Sequence, residues 1–178
     1  MNLVPLLALA AVLATSSVFG AEKAATRDIA YRGGALTLQI PKDWTDEYEP
    51  DGSGVFYEDV PGSGTLRLHV ATAESPADAA GNAATLALTA IPGVDAKAIE
   101  RLPAGSALAK VTRRTTSKQP LTLFWWYVAS PVTSRPLRIA TFSYTVLTTN
   151  EGDARTKRDL DYVEQAVRAA HFGVEPAR

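Results

Sequence analysis

Three consecutive stretches in the middle of the chain show the hydrophobic patterns of long β-strands. They span residues 107–117, 121–130 and 137–147, and turns containing proline separate them. A strand with one face in water alternates apolar and polar residues, whereas the second and third stretches are apolar on both alternating faces. The pattern therefore predicts a three-strand meander in a sheet that is covered on both sides.

Shorter patterns predict the strands that precede the meander. Residues 35–40 alternate strictly, and residues 55–59 and 65–72 are two strand-like runs joined by a glycine-rich turn. Trp44 follows the proline that ends the first of these strands. We expect its indole to fold back and bury itself against the end of the sheet.

Two segments have the helical spacing of apolar residues. One starts after Ser75-Pro76 and stops at Pro92-Gly93, and the other spans 154–171, where His171 closes the helix and Gly173 follows it. The predicted apolar faces are Ala79, Ala83, Leu86 and Ala90 in the first helix, and Leu160, Val163, Val167 and Ala170 in the second. Together the patterns predict an α+β fold, in which a mainly antiparallel sheet of about six strands carries a helix on each face.

The N-terminus has the pattern of a signal peptide, predicted as residues 1–20. An apolar run at 3–13 is followed by small residues at the cleavage positions, but the segment contains no Lys or Arg. An uncleaved anchor is the alternative, although the run is shorter than the roughly 20 residues that span a bilayer. We expect a flexible lead-in at 21–30, one domain at 31–173 and a tail at 174–178.

The composition of the chain limits the cellular compartments and the kinds of chemistry that are possible for it. The chain has no cysteine, which excludes disulfides, thiol nucleophiles and thiolate metal sites. Its net charge of −1 gives no overall attraction to nucleic acid or to anionic membranes. We therefore expect a periplasmic or secreted bacterial protein with no membrane span after signal cleavage.

One family resemblance follows from the order of these elements. A strand ending in Leu38-Gln39-Ile40-Pro41-Lys42-Asp43-Trp44, a hairpin, a capped helix, a long meander and a final amphipathic helix resemble the PsbP-like α/β/α sandwich. That fold occurs in photosystem II extrinsic proteins, a Ran-binding nuclear transport factor and bacterial DcrB-like envelope proteins. The resemblance covers 31–173 and implies a protein that binds or assists other proteins, with no catalytic residues to transfer.

Motifs for catalysis are missing from the sequence. There is no Gly-x-Ser-x-Gly elbow and no glycine-rich phosphate loop with lysine. The two histidines, His69 and His171, lack the spacing of a metal site, so we assign both to structural roles. We predict a non-enzymatic protein without cofactors that acts through protein contacts in the cell envelope. A small periplasmic hydrolase and an immunity-type inhibitor are the alternatives.

The acidic loop at 47–58 resembles an EF-hand calcium loop. Glu47, Glu49, Asp51 and Glu58 stand at its positions one, three, five and twelve, and a glycine stands at position six. Glutamate in place of aspartate, a proline within the loop and strand-like flanks count against calcium binding. The alternative is a solvated acidic loop.

Charge is divided unevenly along the chain. Residues 43–59 contain seven acids and no base, and residues 101–150 contain seven bases and no acid. We expect Lys110, Arg114 and Arg138 to form part of a surface that meets an acidic protein partner. Lys110 and Arg114 would share one strand face, and Arg113 would lie on the other. The alternative is that the acidic loops and the basic strands neutralise each other.

Overall fold

A computed structural model describes residues 25–75, 81–131 and 136–173 of the chain. The predicted signal peptide, the C-terminal tail and the proposed start of the first helix at Pro76 lie outside these residues. Ten strands and two α-helices are formed within them. The strands are β1 (Thr26–Tyr31), β2 (Leu36–Pro41), β3 (Trp44–Tyr48), β4 (Gly54–Glu58), β5 (Thr65–Glu74), β6 (Glu100–Arg101), β7 (Ala107–Arg114), β8 (Leu121–Pro131), β9 (Pro136–Leu147) and β10 (His171–Phe172). The helices are α1 (Ala83–Thr89) and α2 (Ala154–Ala169).

Two sheets are formed, and all of their paired strands run antiparallel. The main sheet has seven strands in the order β3-β4-β5-β9-β8-β7-β6, and a smaller sheet has the order β1-β2-β10. The predicted meander forms its β7-β8-β9 part. The expected antiparallel α+β sandwich is confirmed, with seven strands in the main sheet instead of about six.

One face of the main sheet is covered by α2 and the smaller sheet. The strict alternation of β2 buries Leu36, Leu38 and Ile40 in the core between the two sheets. Trp44 is buried there too, and its ring stacks on that of Tyr144 at a centroid distance of 6.3 Å. The predicted burial of Trp44 at the end of the sheet is confirmed.

Among the described residues, the opposite face is covered only in part, by α1 and the chain that follows it. Ala84 and Leu88 are buried against a second cluster that includes Tyr127. A seven-residue helix is only about 10 Å long, which is too short to cover a seven-stranded sheet. Beyond it, Arg67 and His69 on β5 are exposed.

The predicted apolar face of the first helix is wrong at Leu86 and Ala90, whereas Ala83 packs against the second cluster and Ala79 lies outside the described residues. Leu86 is 50% exposed and Ala90 is exposed, whereas Ala84 and Leu88 are buried. The helix is short and begins at Ala83, after Gly81, whose φ of +75° does not belong to a right-handed helix. The residues of α1 that are buried against the sheet are therefore the i, i+4 pair Ala84 and Leu88, and not the predicted Leu86.

The last helix matches its predicted face but ends earlier than expected. Val163 and Val167 are buried, as predicted. Ala170 takes an extended conformation, and His171 and Phe172 pair with Thr37 and Leu36 of β2. His171 is therefore a strand residue, because pairing with β2 satisfies its backbone in place of another helical turn.

Candidate functional site

The outer edge of β7 is the part of the main sheet that stands out as a candidate binding site. β8 pairs with β7 along its whole length, from Ala107 to Arg114. β6 pairs with it only at Ala107 and Leu108. In the described part of the chain, no strand lies beside residues 109–114 on the outer side.

The hydrogen-bond alternation shows which backbone groups face outward. The N–H of Thr115 donates to the C=O of Leu121 at 2.9 Å, which continues the register of β7 with β8. In an antiparallel ladder every second residue bonds to the same neighbour. Lys110, Thr112 and Arg114 therefore direct their N–H and C=O groups away from β8. Among the described residues, these outward groups have no backbone partner.

Lys110 and Arg114 carry the edge's positive charge on the face that holds α2. The Nζ of Lys110 lies 2.6 Å from the Oε1 of Glu164. Arg114 forms a bidentate pair with Glu151, with N–O distances of 2.6 and 3.1 Å. The two basic side chains are still 49% and 60% exposed. Both basic side chains thus form ion pairs on the α2 face and remain accessible to solvent.

Arg113 is on the other face of the strand and has a different environment. Its guanidinium donates to the C=O of Pro92, and no carboxylate pairs with it among the described residues. It is exposed to solvent. Arg113 therefore leaves an uncompensated positive charge on the edge.

Arg138, the third residue of the predicted basic surface, does not lie on this edge. It is only 5% exposed and donates to the C=O groups of Ala35 and Gly173. It belongs to β9, an interior strand between β5 and β8, and its side chain faces the smaller sheet. The expectation that it is part of an exposed surface is corrected: the structure places Arg138 as a bridge between the two sheets.

Glu164 ties the edge to the rest of the protein. Its carboxylate accepts hydrogen bonds from Lys110 at 2.6 Å, from the indole of Trp126 at 2.7 Å and from Arg168 at 2.6 Å. Burial raises the pKa of Glu164, but these three donors outweigh burial and hold the pKa below its ordinary value. Arg168 in turn forms a bidentate pair with Glu100 of β6. The carboxylate therefore stays charged and fixes β7, β8 and α2 together.

Glu151 plays the corresponding role at the other end of β7. The hydrogen bonds from Arg114 hold the pKa of Glu151 below its ordinary value, and the hydroxyl of Thr122 also donates to it, at 3.0 Å. The same pairing raises the pKa of Arg114. Both ends of the edge are thus positioned by ion pairs with the C-terminal part of the chain.

The four carboxylates of the calcium-loop hypothesis do not converge. The loop is a β3–β4 hairpin, in which Glu47 lies opposite Val55 and Glu58 lies opposite Trp44. Flanking strands, in place of helices, keep the chain extended and point the carboxylates to different partners. Those partners are the Tyr57 hydroxyl for Glu47, Arg67 for Glu49, the Ser53 N–H for Asp51, and Arg155 and Arg158 for Glu58. The Ser53 hydrogen bond lowers the pKa of Asp51. Among the described residues, no group of three or more metal-ligating side chains is assembled.

The charge division is neutralised in part, but by different partners from those expected. The acidic segment pairs with Arg27, Arg67, Arg155 and Arg158, which lie outside the basic run. Basic residues of β7 pair with α2 and the turn before it. The sequence shows the two charged runs, but the pairing depends on how distant elements pack.

The histidines are not organised for catalysis in the described part of the chain. His69 lies opposite Thr141 on the open face of the main sheet, and His171 lies opposite Thr37. Both are exposed, and neither imidazole ring forms a hydrogen bond with a described residue.

Sequence reasoning missed Thr112 and the open backbone beside it. A signal was present: β7 begins with the apolar residues Ala107 to Ala109 and continues as Lys-Val-Thr-Arg-Arg, which places polar residues on both faces. A strand that loses its apolar character on both faces is typical of a sheet edge.

Comparison with known proteins identifies the fold. No family model and no curated protein matches the sequence. Among solved structures, a Bacteroides thetaiotaomicron protein is 16% identical with a TM-score of 0.58, over 85% of this chain and 50% of that one. The chain therefore spans about half the length of that protein.

Two further structures cover most of their own chains. LpqN of Mycobacterium tuberculosis, described as involved in cell envelope biogenesis, is 15% identical with a TM-score of 0.52, over 76% of this chain and 81% of that one. The Ran-binding protein Mog1p of Saccharomyces cerevisiae is 14% identical with a TM-score of 0.50, over 84% and 96%. In the described residues, no helix is long and apolar enough to cross a membrane. The sequence predicted a PsbP-like sandwich, a fold that also occurs in a Ran-binding protein. The match to Mog1p confirms this resemblance at the level of the fold.

Proposed function

We propose that this chain is an exported, non-enzymatic accessory protein of the bacterial cell envelope, which binds another protein at the outer edge of β7. The observation that carries the proposal is the strand edge at Lys110, Thr112 and Arg114, which no described strand covers. The signal-peptide pattern at 1–20 supports export. The fold likeness to LpqN, which is described as an envelope protein, supports the compartment.

The charges of the edge favour an acidic partner. Arg113 has no carboxylate partner among the described residues, and Arg114 uses only part of its five-donor guanidinium on Glu151. Lys110 and Arg114 are about half exposed despite their ion pairs. An approaching carboxylate can therefore join these groups without displacing Glu164 or Glu151. Such a contact favours fast association and partner choice more than raw affinity.

The test compares capture of a partner from native periplasmic extract by three proteins. These are the wild type, the triple variant Lys110→Ser, Arg113→Ser, Arg114→Ser, and a control triple variant with equal charge change, Lys42→Ser, Arg67→Ser, Lys157→Ser. We expect the edge variant to capture at least several-fold less partner than the other two. Capture by the wild type should fall from 0.1 M to 1 M salt, because the screening length drops from about 10 Å to about 3 Å.

Two results would contradict the proposal. One is equal capture by the edge and control variants at both salt concentrations. The other is turnover of generic ester, peptide or glycoside substrates that disappears in His69→Ala, which would favour the hydrolase alternative. An immunity-type inhibitor would use the same surface and would be recognised by the identity of the captured protein.

A further inference from the structure

We propose that the partner supplies an extended acidic segment, which adds to β7 as an eighth strand of the main sheet. This inference rests on the proposed function, because it specifies how the same edge is used. Strand addition takes its affinity from backbone hydrogen bonds and its specificity from alternate side chains. The β7 edge offers both kinds of contact.

The backbone contribution comes from three residues in a regular row. Lys110, Thr112 and Arg114 alternate along β7, so their outward N–H and C=O groups cover about 14 Å of strand. Ion pairs to Glu164 and Glu151 hold the first and last of these residues in place. An extended segment therefore meets a row of hydrogen-bonding groups that is already in position.

The side-chain contribution sets the chemistry of the segment. On the α2 face, the positions opposite Lys110 and Arg114 are four residues apart, and acids there would join existing basic groups. On the opposite face, a residue opposite Arg113 would meet a cation that lacks a carboxylate, and a residue opposite Val111 would meet apolar surface. Opposite charges across adjacent strands are stabilising. The segment that fits best combines acidic and β-branched residues.

A second copy of this chain fits the same edge poorly. Antiparallel pairing of two β7 strands around Thr112 would place Lys110 of each copy directly opposite Arg114 of the other. Like charges in that position are destabilising. Charged residues on an edge are a common means of preventing such self-pairing. The edge therefore discriminates against its own copy and in favour of an acidic segment.

The opposite edge of the sheet, formed by β3, is partly closed. The C=O of Trp44 accepts a hydrogen bond from Arg27 at 2.8 Å, and the same guanidinium binds Asp46. The ring of Tyr48 stacks on Tyr31 of the smaller sheet. Side chains of β1 thus occupy the β3 edge, and within the described ranges β7 is left as the accessible edge of the main sheet.

The experiment uses a labelled eight-residue peptide of alternating glutamate and valine as the probe. We expect the amides of Lys110, Thr112 and Arg114 to exchange quickly in the free protein, because their N–H groups have no backbone partner among the described residues. We expect the peptide to bind wild-type protein and to slow this exchange. Thr112→Pro removes one outward N–H without breaking a bond to β8, so the variant should still fold. We expect Thr112→Pro to weaken binding at least tenfold, and Thr112→Val to change it less than twofold.

Two altered peptides keep the test independent of the protein variants. An N-methylated version, blocked at alternate backbone nitrogens, and a version with lysine in place of glutamate should each bind at least tenfold more weakly. The inference is overturned if the original peptide does not bind, if N-methylation has no effect, or if the free protein dimerises through this edge in sedimentation experiments. Continued loss of partner capture in the triple edge variant would then show that the proposed function survives with a different mode of contact.

Discussion

Trp44→Ala is expected to lower the free energy of unfolding by about 3–5 kcal/mol, as for other large-to-small changes in a core. Trp44 is 3% exposed and stacks on Tyr144, so the substitution leaves a cavity where β3 meets the core. For a domain of this size, each kcal/mol corresponds to roughly 2–4 °C in Tm. Chemical and thermal denaturation measure both quantities.

Tyr48→Ala is the matched control on the same strand, because Tyr48 is 52% exposed. It should cost much less than Trp44→Ala. If Trp44→Ala moves the Tm by only a degree or two, the tryptophan does not support the core and its position in the fold is misassigned.

Asp159→Ala is expected to cost about 3 kcal/mol, because it breaks a buried polar network. Asp159 is 1% exposed and accepts hydrogen bonds from the Tyr144 hydroxyl at 2.9 Å and from Arg158 at 2.9 and 3.1 Å. Burial, together with the neighbouring Asp159 charge, raises the pKa of Tyr144, so its hydroxyl remains a donor. The substitution leaves that buried hydroxyl without its acceptor.

Asp161→Ala provides the control, since Asp161 is exposed on the same helix. Urea denaturation should show a loss of stability for Asp159→Ala and almost none for Asp161→Ala. Equal stabilities of the two variants would contradict the role of Asp159 as the buried link between α2 and β9.

Local patterns predicted the parts of the fold in which burial follows the sequence period. The alternation of β2 and the apolar character of β8 and β9 on both faces identified these strands and the need for cover. β3 was missed because Trp-Thr-Asp-Glu-Tyr has little apolar alternation, and its pairing with β4 fixes it as a strand. The two residues of β10 become a strand only because β2 lies beside them.

The candidate site was predicted less completely, for a related reason. The acid-free run identified Lys110 and Arg114, but the acids that pair with them lie 54 and 37 residues away. The burial of Arg138 depends on β9 being an interior strand, and the open backbone at Thr112 depends on β6 being short. Strand order and packing decide this burial and this exposure, and neither can be predicted from the periodicity of a single strand.

The fold alone does not identify the partner, which depends on the chemistry of the site. LpqN is described as involved in cell envelope biogenesis and Mog1p as a Ran-binding protein, although both share this fold. One fold commonly carries unrelated functions. The groups exposed at the β7 edge therefore determine which partner this chain can bind.

Site-specific photocrosslinking tests the central claim, that the β7 edge contacts the partner, most directly. A benzophenone amino acid is introduced at Thr112, and in a second protein at His69, which is exposed on the open face of the sheet. After irradiation in native envelope extract, we expect a discrete covalent adduct from position 112 that the glutamate–valine peptide suppresses, and little or none from position 69. An adduct at position 69 with none at position 112 would contradict the account.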